Sequence, residues 1–211
     1  MTAQVEALCR RYPDLEPCKG SIEQAIVMLV RCYGNGGKVL VCGNGGSASD
    51  SEHVVGELMK GFMKKRPVPS QVQTRLVEMF GAHGEYLANQ LQGALPAISL
   101  VSHTALLTAI VNDVADSMVF AQQVYGYGRP GDVLIGLSTS GNSKNVIHAM
   151  QVAKAQGLRT IGLTGASGGE MNDVCDVIIK VPYQFTPEIQ ERHLPIYHTI
   201  CIALEEEFFD V

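Results

Sequence analysis

From Val39 to Glu57 the chain reads Val-Leu-Val-Cys-Gly-Asn-Gly-Gly-Ser-Ala-Ser-Asp-Ser-Glu-His-Val-Val-Gly-Glu, and few folds accept that order of residues. Four apolar residues, Val39 to Cys42, lie between Lys38 and Gly43 and predict a buried strand. From Ser49 the pattern resumes at helical spacing and predicts a helix ending near Lys60. The connection is Gly43-Asn-Gly-Gly-Ser47. Glycines at a strand-to-helix turn let the backbone approach an anion, and the free N–H groups of the helix's first turn then face it. His53 and Glu57, four residues apart, fall on one face of that helix. They read either as acid/base or metal-binding groups beside an anion anchor, or as a solvated surface pair.

The rest of the chain alternates in the same way. Apolar positions from about Val5 to Cys32 predict two helices, interrupted by Pro13 and Pro17, with a turn at Gly34-Asn-Gly-Gly37. Lys64-Lys-Arg-Pro-Val-Pro69 breaks regular structure; Lys60, Lys64, Lys65 and Arg66 could serve a phosphate, but a solvated connection is the favoured reading; Ser70 is the candidate cap of a further helix weakened by Gly81 and Gly84. Strands are expected at 97–101, 132–137, 160–164 and 177–181, with helices at 104–111, 118–124, 144–156 and 188–208. Pro195 should disturb the last helix. Strands alternating with helices predict an α/β fold: five parallel strands with helices on both faces, in three α/β/α layers, with ligands at the carboxyl ends of the strands.

Ser138-Thr-Ser-Gly-Asn-Ser143 also follows a strand and opens a helix. Its hydroxyls and backbone N–H groups can donate to phosphate oxygens without adding positive charge. Two such loops favour a small phosphorylated ligand over a pair of capping clusters. Gly43-Asn-Gly-Gly-Ser-Ala48 satisfies G-x-G-x-x-A, yet about 20 residues on, where a dinucleotide fold wants an acidic residue, stand Met63, Lys64 and Lys65. No nucleotide cofactor is therefore expected. G-x-x-x-x-G-K-[ST] is absent, and Gly136-Leu-Ser-Thr-Ser140 lacks the final glycine of a nucleophile elbow.

A formal charge of -5 argues against sequence-independent nucleic-acid binding. The apolar runs are too short to span a bilayer and the first residues lack a basic leader, so a cytoplasmic location away from membranes is expected. Six cysteines without a C-x-x-C pair read as reduced thiols. In the last helix Gln190 and His198 are eight residues apart, about 12 Å of rise and about 80° of turn. Spacing alone does not bring them to one point, and His198 by itself reads as a packed histidine.

In combination, Gly43-Asn-Gly-Gly-Ser47, His53-Val-Val-Gly-Glu57, Asn112-Asp113, Ser138-Thr-Ser-Gly-Asn-Ser143, Gln190 and His198 strongly resemble the SIS (sugar isomerase) domain family, and within it the phosphoheptose isomerases. The resemblance covers about residue 20 to the end and implies one SIS domain over residues 1–211, of flavodoxin-like, doubly wound topology, with N-terminal helices to about residue 34 and an inserted connection at 64–95. It implies isomerisation of sedoheptulose 7-phosphate for heptose biosynthesis. Asn44, Gly45, Gly46, Ser47, Ser138, Thr139, Ser140 and Ser143 would hold the sugar phosphate, Asn112 and Asp113 its hydroxyls, with Glu57 and Gln190 also touching substrate. Glu57 would be the base and His198 the acid; His53, Glu57, Gln190 and His198 would be zinc ligands; and the chain would form a homo-oligomer, a tetramer with sites at subunit contacts. The inserted stretch is longer than the family pattern, and Pro187-Glu-Ile-Gln190 has proline and glutamate where the pattern has an acidic residue and arginine. The rival readings are another SIS isomerase or etherase, or a regulatory SIS protein that binds a sugar phosphate or a protein partner.

Overall fold

The computed structural model describes residues 2–209. Its strands are β1 (Val39–Gly43), β2 (Ala97–Ser99), β3 (Val133–Leu137), β4 (Arg159–Thr164) and β5 (Val177–Lys180), all parallel, in the order β2-β1-β3-β4-β5. Helices follow in chain order: α1 (Thr2–Arg11), α2 (Lys19–Gly34), α3 (Gly46–Met59), α4 (Ser70–Gln90), α5 (Thr104–Asp113), α6 (Ala121–Tyr127), α7 (Lys144–Ala155), α8 (Met171–Val174) and α9 (Thr186–Phe209). The chain runs outward from β1 to β2 and then jumps back over β1 to β3. The switch of direction therefore falls between β1 and β3, where a doubly wound sheet opens a crevice at its carboxyl edge. The loops that leave these two strands are the glycine loop and the serine loop.

Strand alternation builds the three layers. Val39, Val41, Val133, Ile135, Leu137, Ile161 and Leu163 face a core shared with α1, α2, α3 and α9. Leu40, Cys42 and Leu134 face a second core, shared with α5, α6 and α7. Gly136 lets α7 close on that face, since a Cβ there would collide with the end of Met150 and with Val146 Cγ1, 2.9 Å away. Asp132 fixes the start of β3 to β1 through Lys38: its carboxylate accepts the Lys38 backbone N–H at 2.9 Å and the ammonium at 2.5 Å.

Several boundaries differ from the expectation for physical reasons. α3 begins at Gly46, three residues early, because Gly45 takes φ +57° and its carbonyl accepts from Ala48 and Ser49. Ser70 does not cap α4; Pro69 holds the cap position without a side-chain bond. The break in α4 is at Gly81, φ +54°, and its two halves fold together where Gly84 meets the Leu76 carbonyl. α9 runs unbroken through Pro195, whose carbonyl accepts the Thr199 hydroxyl at 2.8 Å. Glu191, whose carbonyl loses its helical donor there, is exposed, so water can replace the bond. α8 had no counterpart in the sequence reading.

The largest correction concerns Arg66, read as part of a solvated basic connection. It is fully buried, and so is Glu205 of α9. Arg66 Nε donates to Glu205 Oε1 at 2.7 Å, and its other nitrogens reach the carbonyls of Leu58 and Glu57 at 2.9 and 3.1 Å. Glu205 also accepts the backbone N–H groups of Phe62 and Met63, both at 2.8 Å. The guanidinium lies over the Phe209 ring, 4.7 Å from its centroid. One ion pair thus satisfies the open carbonyl end of α3, ties down the connection and holds α9.

Desolvation raises the Glu205 carboxyl, but the two amides and the guanidinium outweigh it and hold it below its ordinary value. A depressed carboxyl adds stability above its unfolded pKa, about 4.3, and loses it as pH falls through the folded value. We expect Glu205→Gln to lose about 3–5 kcal/mol in urea unfolding at neutral pH, because it leaves a buried cation unpaired. Below about pH 4 the gap to wild type should narrow; a constant gap would show that the pair does not carry this pH dependence.

Candidate active site

The two loops at the switch point are bonded to each other. Asn44 of the glycine loop and Asn145, at the start of α7, exchange two amide hydrogen bonds of 2.9 Å. Ser138 and Ser143 hydroxyls lie 2.9 Å apart and close the serine loop. Gly43 must be glycine, because a Cβ would sit 2.6 Å from the Ser47 carbonyl oxygen. Ser47 is itself buried and donates its N–H to the Asn44 carbonyl at 3.1 Å, so it closes the glycine loop. Gly45 and Gly46 are exposed at the head of α3, a 14-residue helix, and Thr139 and Ser140 line an open cleft of about 520 Å³ with Asn142, Gly165 and Ser167. Exposed N–H groups at a helix head, with hydroxyls nearby, suit an anion.

α9 lies alongside α3 and runs in the same direction. Gln190 packs on Gly46: a Cβ there would meet the Gln190 amide nitrogen at 2.6 Å. One and two turns further on, Tyr197 bonds Asp50 and His53, and His198 faces His53. Glu205 then reaches the far end of α3 through Arg66. The 12 Å between Gln190 and His198 therefore separates the loop end of the α3–α9 pair from its imidazole end. Gln190 is at the loop end, away from the imidazoles.

At the imidazole end, His53 Nε2 lies 3.4 Å from His198 Nε2 and 3.3 Å from Glu57 Oε1, while Glu57 Oε2 pairs with Lys60 at 3.1 Å. Glu57 is mostly buried, and His198 opens onto a groove of about 480 Å³ lined by Arg11, Phe62 and Glu191. Desolvation lowers the His198 pKa, with the charge of His53 adding to it and Glu57 opposing, so the ring is biased to its neutral form. Such a group can give or take a proton beside a carboxylate. Among the described residues, no three His, Cys, Asp or Glu side chains already surround a metal position. Asn112 and Asp113 are exposed at the end of α5 and bond to each other at 2.7 Å, with no hydrogen bond to either loop among the described residues.

Three comparisons bear on this geometry. The family model for the SIS domain matches residues 2–89 and 77–165. The chain belongs to the SIS domain family. Within this SIS family its relatives include the phosphoheptose isomerase of Rhodospirillum rubrum, 38% identical over 98% of both chains, and phosphoheptose isomerase 2 of Campylobacter jejuni, 42% identical over 89% of this chain and 81% of that one. The solved phosphoheptose isomerase of Neisseria gonorrhoeae superposes with a TM-score of 0.70 at 33% identity, covering 96% of this SIS domain chain and 93% of that chain.

Sequence reasoning missed Asn145, Asp50 and Tyr197 as neighbours of the site, and weighed Lys60 only as a phosphate or solvent-facing group, not as the partner of Glu57. Asn145 directly follows the helix-opening Lys144, and only its pairing across 101 residues reveals a role. If that pairing holds the glycine loop, Asn145→Ala should raise the KM for a sugar phosphate roughly five- to thirty-fold, the effect of losing about 1–2 kcal/mol. Since the variant leaves His53, Glu57 and His198 in place, kcat should change little; a fall confined to kcat would remove Asn145 from ligand binding.

Proposed function

We propose that this SIS-family protein is an aldose–ketose isomerase that interconverts sedoheptulose 7-phosphate and D-glycero-D-manno-heptose 7-phosphate for heptose biosynthesis. The observation that carries the proposal is the placement of an anion-binding pair of loops and a carboxylate–imidazole cluster along one helix, α3. With 1.5 Å of rise per residue, His53 and Glu57 stand about 10 and 16 Å beyond Gly46. A substrate with a phosphate at one end and reacting carbons at the other suits that separation. The relatives are phosphoheptose isomerases over nearly the whole chain, which supports the heptose reading over a pentose or amino-sugar phosphate.

The chemistry follows from what the side chains can hold. Glu57 takes the proton from carbon 1 of the ketose while His198 delivers one to the carbonyl oxygen at carbon 2, giving an enediol. Return of a proton to carbon 2, with loss of the proton on the carbon 1 oxygen, gives the aldose. Lys60 holds the second oxygen of Glu57, so that the other lies toward His53. Backbone N–H groups at the head of α3 and the hydroxyls of Thr139 and Ser140 fix the phosphate, and Gln190 sits where it can touch the chain near that end.

His53, His198 and Glu57 would also hold a zinc ion. Their 3.4 and 3.3 Å separations are close to the edge of about 3.3 Å in a tetrahedron of about 2.0 Å bonds. When bound, zinc would supply Lewis-acid polarisation of the substrate oxygens. The donor types and these two edges fit; Gln190, the fourth candidate, would have to leave Gly46. We further propose a homo-oligomer, a tetramer, supported by the exposed Met79, Phe80 and Tyr86 of α4. Cytoplasmic residence is supported by six free cysteines.

Turnover of sedoheptulose 7-phosphate, measured beside other sugar phosphates with product identification, tests the substrate. Glu57→Gln should keep binding and lose about 10²–10⁴ in rate, together with exchange of the carbon 1 proton in deuterated water. Exchange at the wild-type rate would remove Glu57 as the base. Loss of zinc from the same sample, with activity partly restored by added zinc, would instead make it chiefly a ligand.

A further inference from the structure

α3 and α9 share a short chain of hydrogen bonds that ends on His53. The Tyr197 hydroxyl donates to Asp50 Oδ1 at 3.0 Å, and the same oxygen lies 3.1 Å from His53 Nδ1. Tyrosine has one hydroxyl proton and an ionised carboxylate has none to give. With that proton committed to Asp50, the Tyr197 oxygen can only accept from the imidazole, so His53 Nδ1 must carry the hydrogen. In a neutral ring the other nitrogen, Nε2, is then a bare lone pair. Nε2 is the atom that faces His198 and Glu57.

We infer that Asp50 and Tyr197 are positioning residues that lock His53 as its Nδ1–H tautomer and so keep the Nε2 lone pair turned toward the reacting groups. The opposite tautomer would place a proton between His53 and Glu57 and tie up the carboxylate oxygen that the proposed reaction needs. The locked tautomer accepts a hydrogen bond from His198 or a substrate hydroxyl, or serves a cation. Tyr197 is suited to the task because it is buried, with its ring edge-on to both His53 and His198 at centroid distances of 5.4 and 5.1 Å. Water has little access to substitute for its hydroxyl. Asp50 sits one turn before His53 on α3, and neither residue belongs to the loops or to the His53, Glu57, Gln190 and His198 set.

The tautomer can be read directly. Protein labelled with ¹⁵N-histidine, at about pH 8.5 where ordinary imidazoles are neutral, gives distinct long-range ¹H–¹⁵N patterns for the two forms, and His53→Asn identifies the signals by their loss. We expect the Nδ1–H pattern in the wild type before and after chelator treatment. Asp50→Ala frees the tyrosine proton to point at Nδ1, and Tyr197→Phe removes the partner while keeping the ring; both should move His53 toward the Nε2–H form. An Nε2–H pattern in the wild type, or an unchanged pattern in both variants, would overturn the inference. The consequence for turnover rests on the proposed isomerase reading: kcat should fall about 10- to 100-fold with KM changed far less. If the NMR result holds while the wild type does not turn over the heptulose phosphate, the relay stands and the isomerase reading falls; if turnover is seen and the tautomer is wrong, the reverse.

Discussion

The alignment of α3 with α9 is the constraint on which the rest of the site depends, and the buried Arg66–Glu205 pair sets it. A buried ion pair is a weak source of net stability, because desolvation of the two charges offsets much of their attraction. Its value here is geometric. Arg66 reaches the last carbonyls of α3, at Glu57 and Leu58, while Glu205 is one of the buried residues of α9, seven positions after His198. Seven residues are two turns, so His198 and Glu205 point from nearly the same face of α9. Fixing one end of that face against α3 fixes where His198 meets His53.

The same pair explains how the fold carries the stretch between α3 and β2. The chain leaves along Phe62 and Met63, whose N–H groups are held by Glu205, and returns where Gly93 donates to the Arg66 carbonyl at 2.6 Å and Pro67 bridges to Gln92. Both ends of the excursion are therefore anchored within a few residues of each other. α4 can then extend outward without moving β2, because a loop closed at its base transmits little to the strands it joins.

Much of this was legible in the sequence, and the boundary of legibility is physical. Strands and helices follow from local pattern: Val39 to Cys42 and Val133 to Leu137 are apolar runs long enough for strands and too short for helices, and their alternation with helices fixes a parallel sheet. The glycine and serine loops are equally local. What pattern could not supply is pairing at a distance. Arg66 in a basic run with two nearby prolines looks solvated until Glu205, 139 residues later, is seen to neutralise it. Gln190 and His198 looked incompatible as members of one site because helix spacing was measured within α9 alone; α9 serves α3 along its length, so the two residues work at different places.

That lengthwise arrangement also ranks the polar neighbours by what they can influence. Gln190 and Asn145 contact the glycine loop, so under the proposed reading they would bear on how tightly an anion is held. Lys60 and Tyr197, the latter bonded to Asp50, bear on the protonation pattern of Glu57 and His53, because each hydrogen bond occupies one atom of those groups and leaves the opposite atom toward its neighbours. Glu57 gives one oxygen to Lys60 and His53 gives Nδ1 to Tyr197. The remaining oxygen and Nε2 point at each other and at His198 across little more than 3 Å. Atoms of this kind repel unless a proton or a cation stands between them, so their support from outside concentrates unmet acceptor capacity at one point. Delivery of a mobile proton there is the simplest chemistry the fold can perform, and under the proposed reading an anion held at the far end of α3 would determine which molecule brings its carbon–hydrogen bond to that point.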